Sequence, residues 1–576
     1  MDVIDRTTVS PAKGHPKGLY VLFVTEMWER FNYYGMRAVL VLFMTKALLF
    51  DKVFASNLYG SYTSLVFLTP LVGGYIADRY WGNKRSIIAG GLLMAIGEFL
   101  LFFCGSLYNS SASVASVFFF SGLGFMIAGN GFFKPNISSL VGQLYTKGDR
   151  RIDAAYTIFY MGINVGGALG PFVCGLVGDT GDPADFRWAF LAGGIGMLLS
   201  VLVQILYHNK YVLTPGKKEV LGLTPAHTPK AATSPALVVG GLIFFSMLTI
   251  GLIYIDAQVF SYLFYLLIAA IVFIAAIIFS DKTLSSAEKS KVAVIFVVSF
   301  FVIFFWSAFE QAGASLTFFA DEQTNRQVNL KIPIAVAYSF LLALLLMTAW
   351  LFNKAKKNLS AAYDHSLRNA VYLILIAIGV AVGYGMFYLN SREISLIDFQ
   401  EVPASWFQSL NSIFVVAFAP LFAWLWLKLG RYEPSSPTKM ALGLFLLSVG
   451  YLWIAFGVRG VSPGLRVSMV WLIGMYALHT WGELCLSPIG LSLVNKLAPL
   501  KFASLLMAVW FTANAFANKL AGVLSALYPE GGKTTTLLRY QMTNLYDFFM
   551  LFVAMAGAAS LILFLLSRKL QKMMAA

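Results

Sequence analysis

The sequence predicts an all-α polytopic membrane protein, and three observations carry that reading. Its 576 residues are 59% hydrophobic and only 12% charged, with a mean hydropathy of +0.74, whereas soluble domains hold about 45–50% apolar and about 25% charged residues. The apolar residues fall in runs near the roughly 20 residues that a helix needs to cross a bilayer core. Period-two alternation of the kind a membrane β-barrel requires is absent. These figures exclude a soluble enzyme, a disordered chain and a disulfide scaffold.

In chain order the runs lie near 19–46, 57–78, 85–105, 114–142, 151–177, 187–207, 236–255, 258–280, 291–319, 332–353, 369–389, 406–428, 440–458, 466–495, 501–527 and 546–567, about 16 spans. The segment Met1 to Tyr20 is polar and lacks a short apolar region with a cleavage site, so the first run is expected to be a retained span. Alternate loops collect the basic residues: Arg79, Lys84 and Arg85; Lys147, Arg150 and Arg151; Lys210, Lys217, Lys218 and Lys230; Lys282, Lys289 and Lys291; Lys354, Lys356, Lys357 and Arg368; Lys428, Arg431 and Lys439; Lys496 and Lys501. With the N-terminus inside, roughly 28 basic residues fall inside and about 10 outside, which predicts two cytosolic termini. The excess of 42 Lys and Arg over 27 Asp and Glu is then mostly a mark of topology.

Composition shifts divide the chain. Residues 1–207 read as a first bundle of six spans, and 208–235, with Pro215, Pro225, Pro229 and Pro235, as a cytoplasmic linker. Residues 236–280 read as an inserted hairpin turning around Asp256, and 291–576 as a second bundle. Cys104, Cys174 and Cys485 lie in or beside apolar runs without metal-ligand spacing and read as small core residues.

Ionisable groups inside spans are costly unless paired or hydrated, so each is a functional candidate. The first span carries Glu26, Glu29, Arg30 and Arg37. Spacings of four, three and four place Glu26, Arg30, Tyr33 and Arg37 on one helix face, flanked by Glu29 and Tyr34. Such a stripe must line a polar cavity or meet opposite charges; snorkelling to headgroups would suit Glu26 but not the whole set. Lys134 lies deep in the fourth span, Glu310 in the ninth and Glu483 in the fourteenth, so isolated charges come from both halves, as a central site between two bundles requires. A packing ion pair is the plainer reading of any one of them. Glu98 reads as a packing or interior group, His479 as a hydrogen-bonded interior imidazole, and Lys519 as a snorkelling side chain. The glycines around Asn164 allow close helix approach and present an amide to the interior.

These residues sit in recognisable motifs. Glu26-Met27-Trp28-Glu29-Arg30-Phe31-Asn32-Tyr33-Tyr34-Gly35 resembles the ExxERFxYYG signature of the proton-dependent oligopeptide transporters. Gly73 to Arg85 resembles both that family's first signature and the cytoplasmic motif between the second and third helices of the major facilitator superfamily, and Phe159 to Gly166 resembles the family's FYxxINxG motif. The resemblance covers nearly the whole chain. It implies two six-helix bundles rocking around a midplane cavity, importing di- and tripeptides with protons and needing no cofactor beyond the coupling proton.

By the same resemblance, Arg37 and Lys134 would face the peptide carboxylate, while Glu483 with Asn164 and Asn411 would hold the amino terminus. Glu26, Glu29 and Arg30 would form a proton-coupling cluster that exchanges partners with Lys134. Glu310 would release Arg37 on protonation. Tyr33, Tyr34, Tyr160, Trp306, Trp510 and Ser487 would shape the pocket. The implied setting is the bacterial inner membrane, without nucleic acid or an obligate protein partner.

Two features depart from the pattern. Phe67 stands where many members have tyrosine, and the runs within about 332–389 form an extra pair, giving 16 spans where bacterial members usually have 14. That pair is expected at the periphery. Alternatives are a related carrier of another anion, a membrane hydrolase using His479 and Glu483, and a peptide sensor without flux. The hydrolase lacks a nucleophile arrangement or metal set.

Overall fold

The computed structural model describes residues 14–146, 149, 151–224, 235–258, 262–358, 365–391, 396–462, 464–530 and 533–575. The expectations for residues 1–13, Lys147, Arg150, Pro225, Pro229 and Lys230 lie outside them. Seventeen α-helices follow in order: α1 (Lys17–Leu42), α2 (Lys52–Ile76), α3 (Asn83–Leu107), α4 (Ala112–Gln143), α5 (Ile152–Gly178), α6 (Phe186–Tyr211), α7 (Pro235–Gln258), α8 (Tyr262–Ser280), α9 (Ser286–Phe309), α10 (Ser315–Glu322), α11 (Ile334–Asn358), α12 (His365–Ser391), α13 (Ser409–Leu429), α14 (Ser436–Val458), α15 (Met469–Leu497), α16 (Ala503–Ser525) and α17 (Leu545–Ala575). Local signals set several starts. Asp51 caps α2 by accepting from Phe54 N, and Ser285 with Glu288 forms a reciprocal capping box at α9.

Twelve of the described helical segments are long and apolar enough to cross a membrane. The four long helices outside that group are α1, α2, α15 and α16. The first holds Glu26, Glu29, Arg30 and Arg37, and α15 holds His479 and Glu483, so polar residues that lower the hydropathy gather on helices that face the interior.

Helices α1–α6 pack into one bundle, with α1 against α5 and α6 and α3 against α4 and α6. A second bundle comprises α9, α10 and α13–α17, where α14 packs on α15 and α17, and α9 on α16. The bundles meet along two seams, α2 with α16 and α5 with α13. At the first seam Gly60 and Gly522 let the backbones touch: a Cβ on Gly522 would lie 2.5 Å from Ser56 O and 2.7 Å from Gly60 Cα. We call the end where α1 starts the near end and the other the far end.

Two pairs stand apart from the bundles. Helix α7 packs on α2 and α4, and α8 on α16. Helices α11 and α12 pack on each other, and α12 on α6, where the Tyr388 hydroxyl donates to Asp185 Oδ1 at 3.2 Å and its ring lies 4.4 Å from that of Trp188. The strands are short. Among them, β1 (Thr324–Asn325), β2 (Gln327–Pro333), β3 (Leu396–Glu401) and β4 (Val467–Ser468) pair as β1 with β4 in parallel and β2 with β3 antiparallel. The β2–β3 ribbon closes the base of the α11–α12 pair.

Three expectations need correction. Asp256 is not in a loop; it lies within α7 and is buried. Lys519 does not snorkel: it is fully buried and paired with Asp256 at 2.6 Å, because a nearer carboxylate is available inside than at the headgroups. The ninth run is not one continuous helix, since Glu310–Gly313 forms a tighter turn between α9 and α10, with Ala314 out of helical geometry.

Candidate functional site

Helix α1 supplies the spine of the site. Its charged stripe faces inward, with Glu26 and Glu29 fully buried and Arg30 and Arg37 each 7% exposed. Arg30 lies between the two carboxylates: Nε is 2.5 Å from Glu29 Oε2, Nη2 donates to Glu29 Oε1 at 2.9 Å, and Nε is 3.3 Å from Glu26 Oε1. Lys134 of α4 donates from Nζ to Glu26 Oε1 at 2.6 Å, and Asn130, one turn earlier, donates to Glu29 Oε1 at 3.3 Å. Pro135 follows Lys134 within α4, where it removes one backbone donor. The result is a four-charge cluster of two acids and two bases with Glu26 shared between Arg30 and Lys134.

Eleven residues along α1 from Glu26, a rise of about 16 Å, Arg37 forms a separate pair. Its Nη2 lies 2.8 Å from Glu310 Oε2. Glu310 opens the tight turn between α9 and α10, so the break in that helix delivers a second-bundle carboxylate to a first-bundle guanidinium. Arg37 also lies over the rings of Tyr34 and Tyr59, at 5.7 and 5.9 Å, and Arg30 over Tyr33 and Tyr34, at 5.2 and 5.9 Å.

The second bundle adds Glu483 on α15, where it is 8% exposed. Asn411 Nδ2, at the start of α13, donates to Glu483 Oε2 at 2.8 Å and to Thr480 Oγ1 at 3.1 Å. Tyr160 of α5 reaches the same carboxyl across the gap between bundles. Among the described residues no basic group forms an ion pair with Glu483. The site therefore holds three cations, Arg30, Arg37 and Lys134, against four carboxyls, Glu26, Glu29, Glu310 and Glu483, and the unmatched carboxyl is the one lined by amides and phenols.

The remaining candidates are placed as follows. Asn164 is buried, and its Nδ2 donates to Tyr160 O of its own helix at 2.9 Å. Trp306 is partly buried and packs at 5.2 Å from Phe309, Trp510 is buried over Gly490, and Ser487 is half-buried one turn beyond Glu483. Tyr33 and Tyr34 meet edge to face at 5.2 Å. Phe67 is partly buried against the apolar core. Glu98 accepts from Asn32 Nδ2 at 2.8 Å inside the first bundle, and the His479 ring lies 4.7 Å from that of Tyr451. Among the described residues no group of His, Cys, Asp and Glu is arranged to hold a metal. Sequence reading missed Asn130, Tyr59 and Thr480. Asn130 precedes Lys134 by four residues and shares its face, and Thr480 precedes Glu483 by three, so helical spacing was the available signal.

The two ends of the site differ. At the far end the bundles are joined by Lys46 to Asp321 at 2.7 Å and by Lys52 to Glu322 at 2.6 Å. Asp179 Oδ2 accepts from Ser405 N and Oγ at 3.1 and 3.0 Å, Trp406 Nε1 donates to Phe172 O at 2.9 Å, and Ser409 Oγ donates to Ala168 O at 2.8 Å. Burial holds the Asp179 carboxyl above its usual range, against the opposing pull of Lys46. Toward the near end, the Lys134 side chain of the charged cluster is 30% exposed, whereas those of Arg37 and Glu310 on the far side are 8% and 7% exposed. The polar centre is thus shut from one end and reachable from the other.

Comparison with known proteins gives a consistent picture. A sequence model described as "POT family" matches residues 84–387 and 384–542. The chain is 32% identical over 530 residues to the uncharacterized transporter YclF of Bacillus subtilis, covering 90% of this chain and 89% of that one. It is 30% identical over 527 residues to the peptide transporter YePEPT of Yersinia enterocolitica, covering 89% and 88%. Among solved structures, a peptide transporter POT in complex with sulfate superposes with a TM-score of 0.70 at 29% identity, covering 98% of this chain and 97% of that one. A POT family transporter in complex with 5-aminolevulinic acid gives 0.71 at 27% identity, covering 97% and 98%.

Proposed function

The chain belongs to the POT family, and from that premise we propose that it is a proton-coupled symporter of di- and tripeptides that works by alternating access. It is a multi-span membrane transporter and not an enzyme. The observation that carries the substrate class is the charge arrangement. A short peptide is a zwitterion with fixed ends. Glu483, unpaired with any described cation, offers a place for the ammonium, while Arg37 and Lys134 offer cations for the carboxylate. Side chains that vary between peptides are left to Tyr33, Tyr34, Tyr160, Trp306, Trp510 and Ser487 as adaptable walls.

Proton coupling follows from competition within the paired groups. A peptide carboxylate arriving at Lys134 competes with Glu26, and at Arg37 with Glu310. A displaced carboxylate left in a buried site is costly until it takes up a proton. Glu29 and Arg30 complete the coupling cluster, because Arg30 can hold either acid. Protonation of Glu310 frees Arg37 and removes one tie between the bundles. The coupling ion is the proton, and we assign no further cofactor.

The same reading sets the chain in a bacterial inner membrane with about 16 spans and both termini in the cytosol, on the basic residues of alternate loops. The domains are then residues 1–207 and 291–576 as rocking bundles, 208–235 as linker, 236–280 as one inserted hairpin, and about 332–389 as a second inserted pair. A shut far end and a reachable near end correspond to the state open to the cytosol. Reconstitution in liposomes tests the proposal: an inward proton gradient should drive accumulation of a labelled dipeptide above equilibrium. Failure of any short peptide to accumulate or exchange would refute it.

A further inference from the structure

A second buried ion pair lies outside the site just described. Lys519 Nζ of α16 is 2.6 Å from Asp256 Oδ2 of α7 and donates to Ser61 Oγ of α2 at 2.7 Å. The Ser61 hydroxyl also donates to Asp256 Oδ2, and Asp256 Oδ1 accepts from Leu263 N in the first turn of α8 at 3.2 Å. Lys519 and Ser61 are fully buried and Asp256 is 2% exposed. One carboxylate therefore ties together four helices, one from each bundle and both from the inserted hairpin. Two charges placed there cost several kcal/mol in desolvation unless their attraction and hydrogen bonds offset it, so separating them within the membrane is unfavourable.

The hairpin that carries Asp256 is divided between the bundles. Helix α7 is fixed to the first, where Thr249 Oγ1 donates to Gly124 O at 2.8 Å and the Phe245 and Phe132 rings lie 5.2 Å apart. Helix α8 leans on the second, with the Phe264 and Phe516 rings 4.9 Å apart. The Asp256–Lys519 contact sits beside the α2–α16 seam, in the far-end half of both helices, near the Gly60–Gly522 approach. Parting that seam must pull Lys519 away from Ser61, from Asp256, or from both.

We propose that Asp256, Lys519 and Ser61 form a clasp that holds the far end shut, with the inserted hairpin as its carrier. The clasp sets how readily the two bundles rock, and this rests on the alternating-access reading above. It accounts for a lysine and an aspartate buried where none of the peptide-facing groups is their partner. Neither residue need touch the peptide; they act on the position of α2 against α16.

The test uses the full chain in lipid nanodiscs, with Cys104, Cys174 and Cys485 replaced by alanine. Spin labels are placed at Leu49→Cys, 79% exposed after α1, and Leu538→Cys, 94% exposed before α17, on opposite bundles at the far end. The distance distribution between the labels reads the open-to-closed ratio. The charge-neutral double variant Asp256→Asn with Lys519→Met should raise that ratio about tenfold, and Ser61→Ala, which keeps both charges, should raise it about threefold. An unchanged distribution in a monodisperse double variant overturns the clasp; if that variant does not fold, an unchanged distribution in Ser61→Ala does so. A parent protein with one invariant distance, with and without dipeptide and at both low and high pH, would remove the rocking itself and the clasp with it.

Discussion

Replacing Glu483 by glutamine should weaken binding of peptides with a free amino terminus and leave N-acetylated peptides nearly untouched. Gln keeps the size and one acceptor, so the perturbation is the loss of charge. An ammonium seated about 3 Å from the carboxylate, the separation at which Asn411 now donates, would gain about 5 kcal/mol of Coulomb energy at an effective dielectric of about 20. Desolvation of both groups returns much of this, and hydrogen bonds to charged groups contribute about 1.5–3 kcal/mol net. We therefore expect about 2 kcal/mol, roughly a 30-fold rise in Kd for Ala-Ala. Titration calorimetry on the purified protein with Ala-Ala and N-acetyl-Ala-Ala reads both arms. A loss of equal size for the two ligands, or none for either, would refute the assignment of Glu483 to the amino terminus.

Three further outcomes follow from the geometry. Glu29→Gln or Lys134→Ala should abolish gradient-driven accumulation while counterflow of labelled against unlabelled dipeptide continues; full accumulation in both would remove the coupling cluster. Gly522→Val should prevent the far end from closing, since its Cβ meets Ser56 O and Gly60 Cα at 2.5 and 2.7 Å and neither backbone can yield; uptake should fall at least tenfold, and the label distance at the far end should lengthen. Asp179 should make closure pH-dependent. Burial raises its pKa in the closed state, so that state binds the proton more tightly than an open state with a hydrated carboxyl, and closure is favoured as pH falls and weakened as pH rises through the raised value. The Asp179→Asn variant should flatten this component of the distance-versus-pH curve.

Much of the fold was legible because lipid imposes a length on each span. The fifth run, read as 151–177, is Ile152–Gly178, and the last three helices begin within a few residues of their expected starts. The α1 stripe was legible for a related reason: four charges in an otherwise apolar run, spaced by helical turns, have few places to point. What hydropathy cannot register is a partner on another helix. Asp256 stood at the edge of a run and looked like a turn residue, and Lys519 near the end of another looked free to reach the surface. Their contact spans 263 positions. The turn at Glu310 was hidden for a different reason, because its neighbours Gln311 to Ala314 carry no proline and keep the run apolar enough to read as continuous helix.

The charge count within the site gives a physical reason for peptide and proton to travel together. Without ligand, Arg30 and Lys134 balance Glu26 and Glu29, and Arg37 balances Glu310. Glu483 alone has no described cation. A zwitterion satisfies it with one end, but its other end brings a fifth carboxylate to three bases, so one resident acid must lose its partner. Glu483 is held before ligand binds by the Asn411 amide, whereas the displaced acid has lost its partner, and in a buried site it is costly until it takes up a proton. If the acid is Glu310, the proton also breaks a link between the bundles; if it is Glu26, Lys134 is left to the peptide and Arg30 to Glu29. Neutralising Glu483 would remove the attraction for the amine but not this competition. On the proposed reading, Glu483→Gln should therefore alter affinity while preserving the proton-to-peptide ratio, whereas Glu29→Gln should do the reverse. Measuring reversal potentials of both variants in liposomes separates the two effects, and a changed ratio in Glu483→Gln would place that residue in the coupling cluster instead.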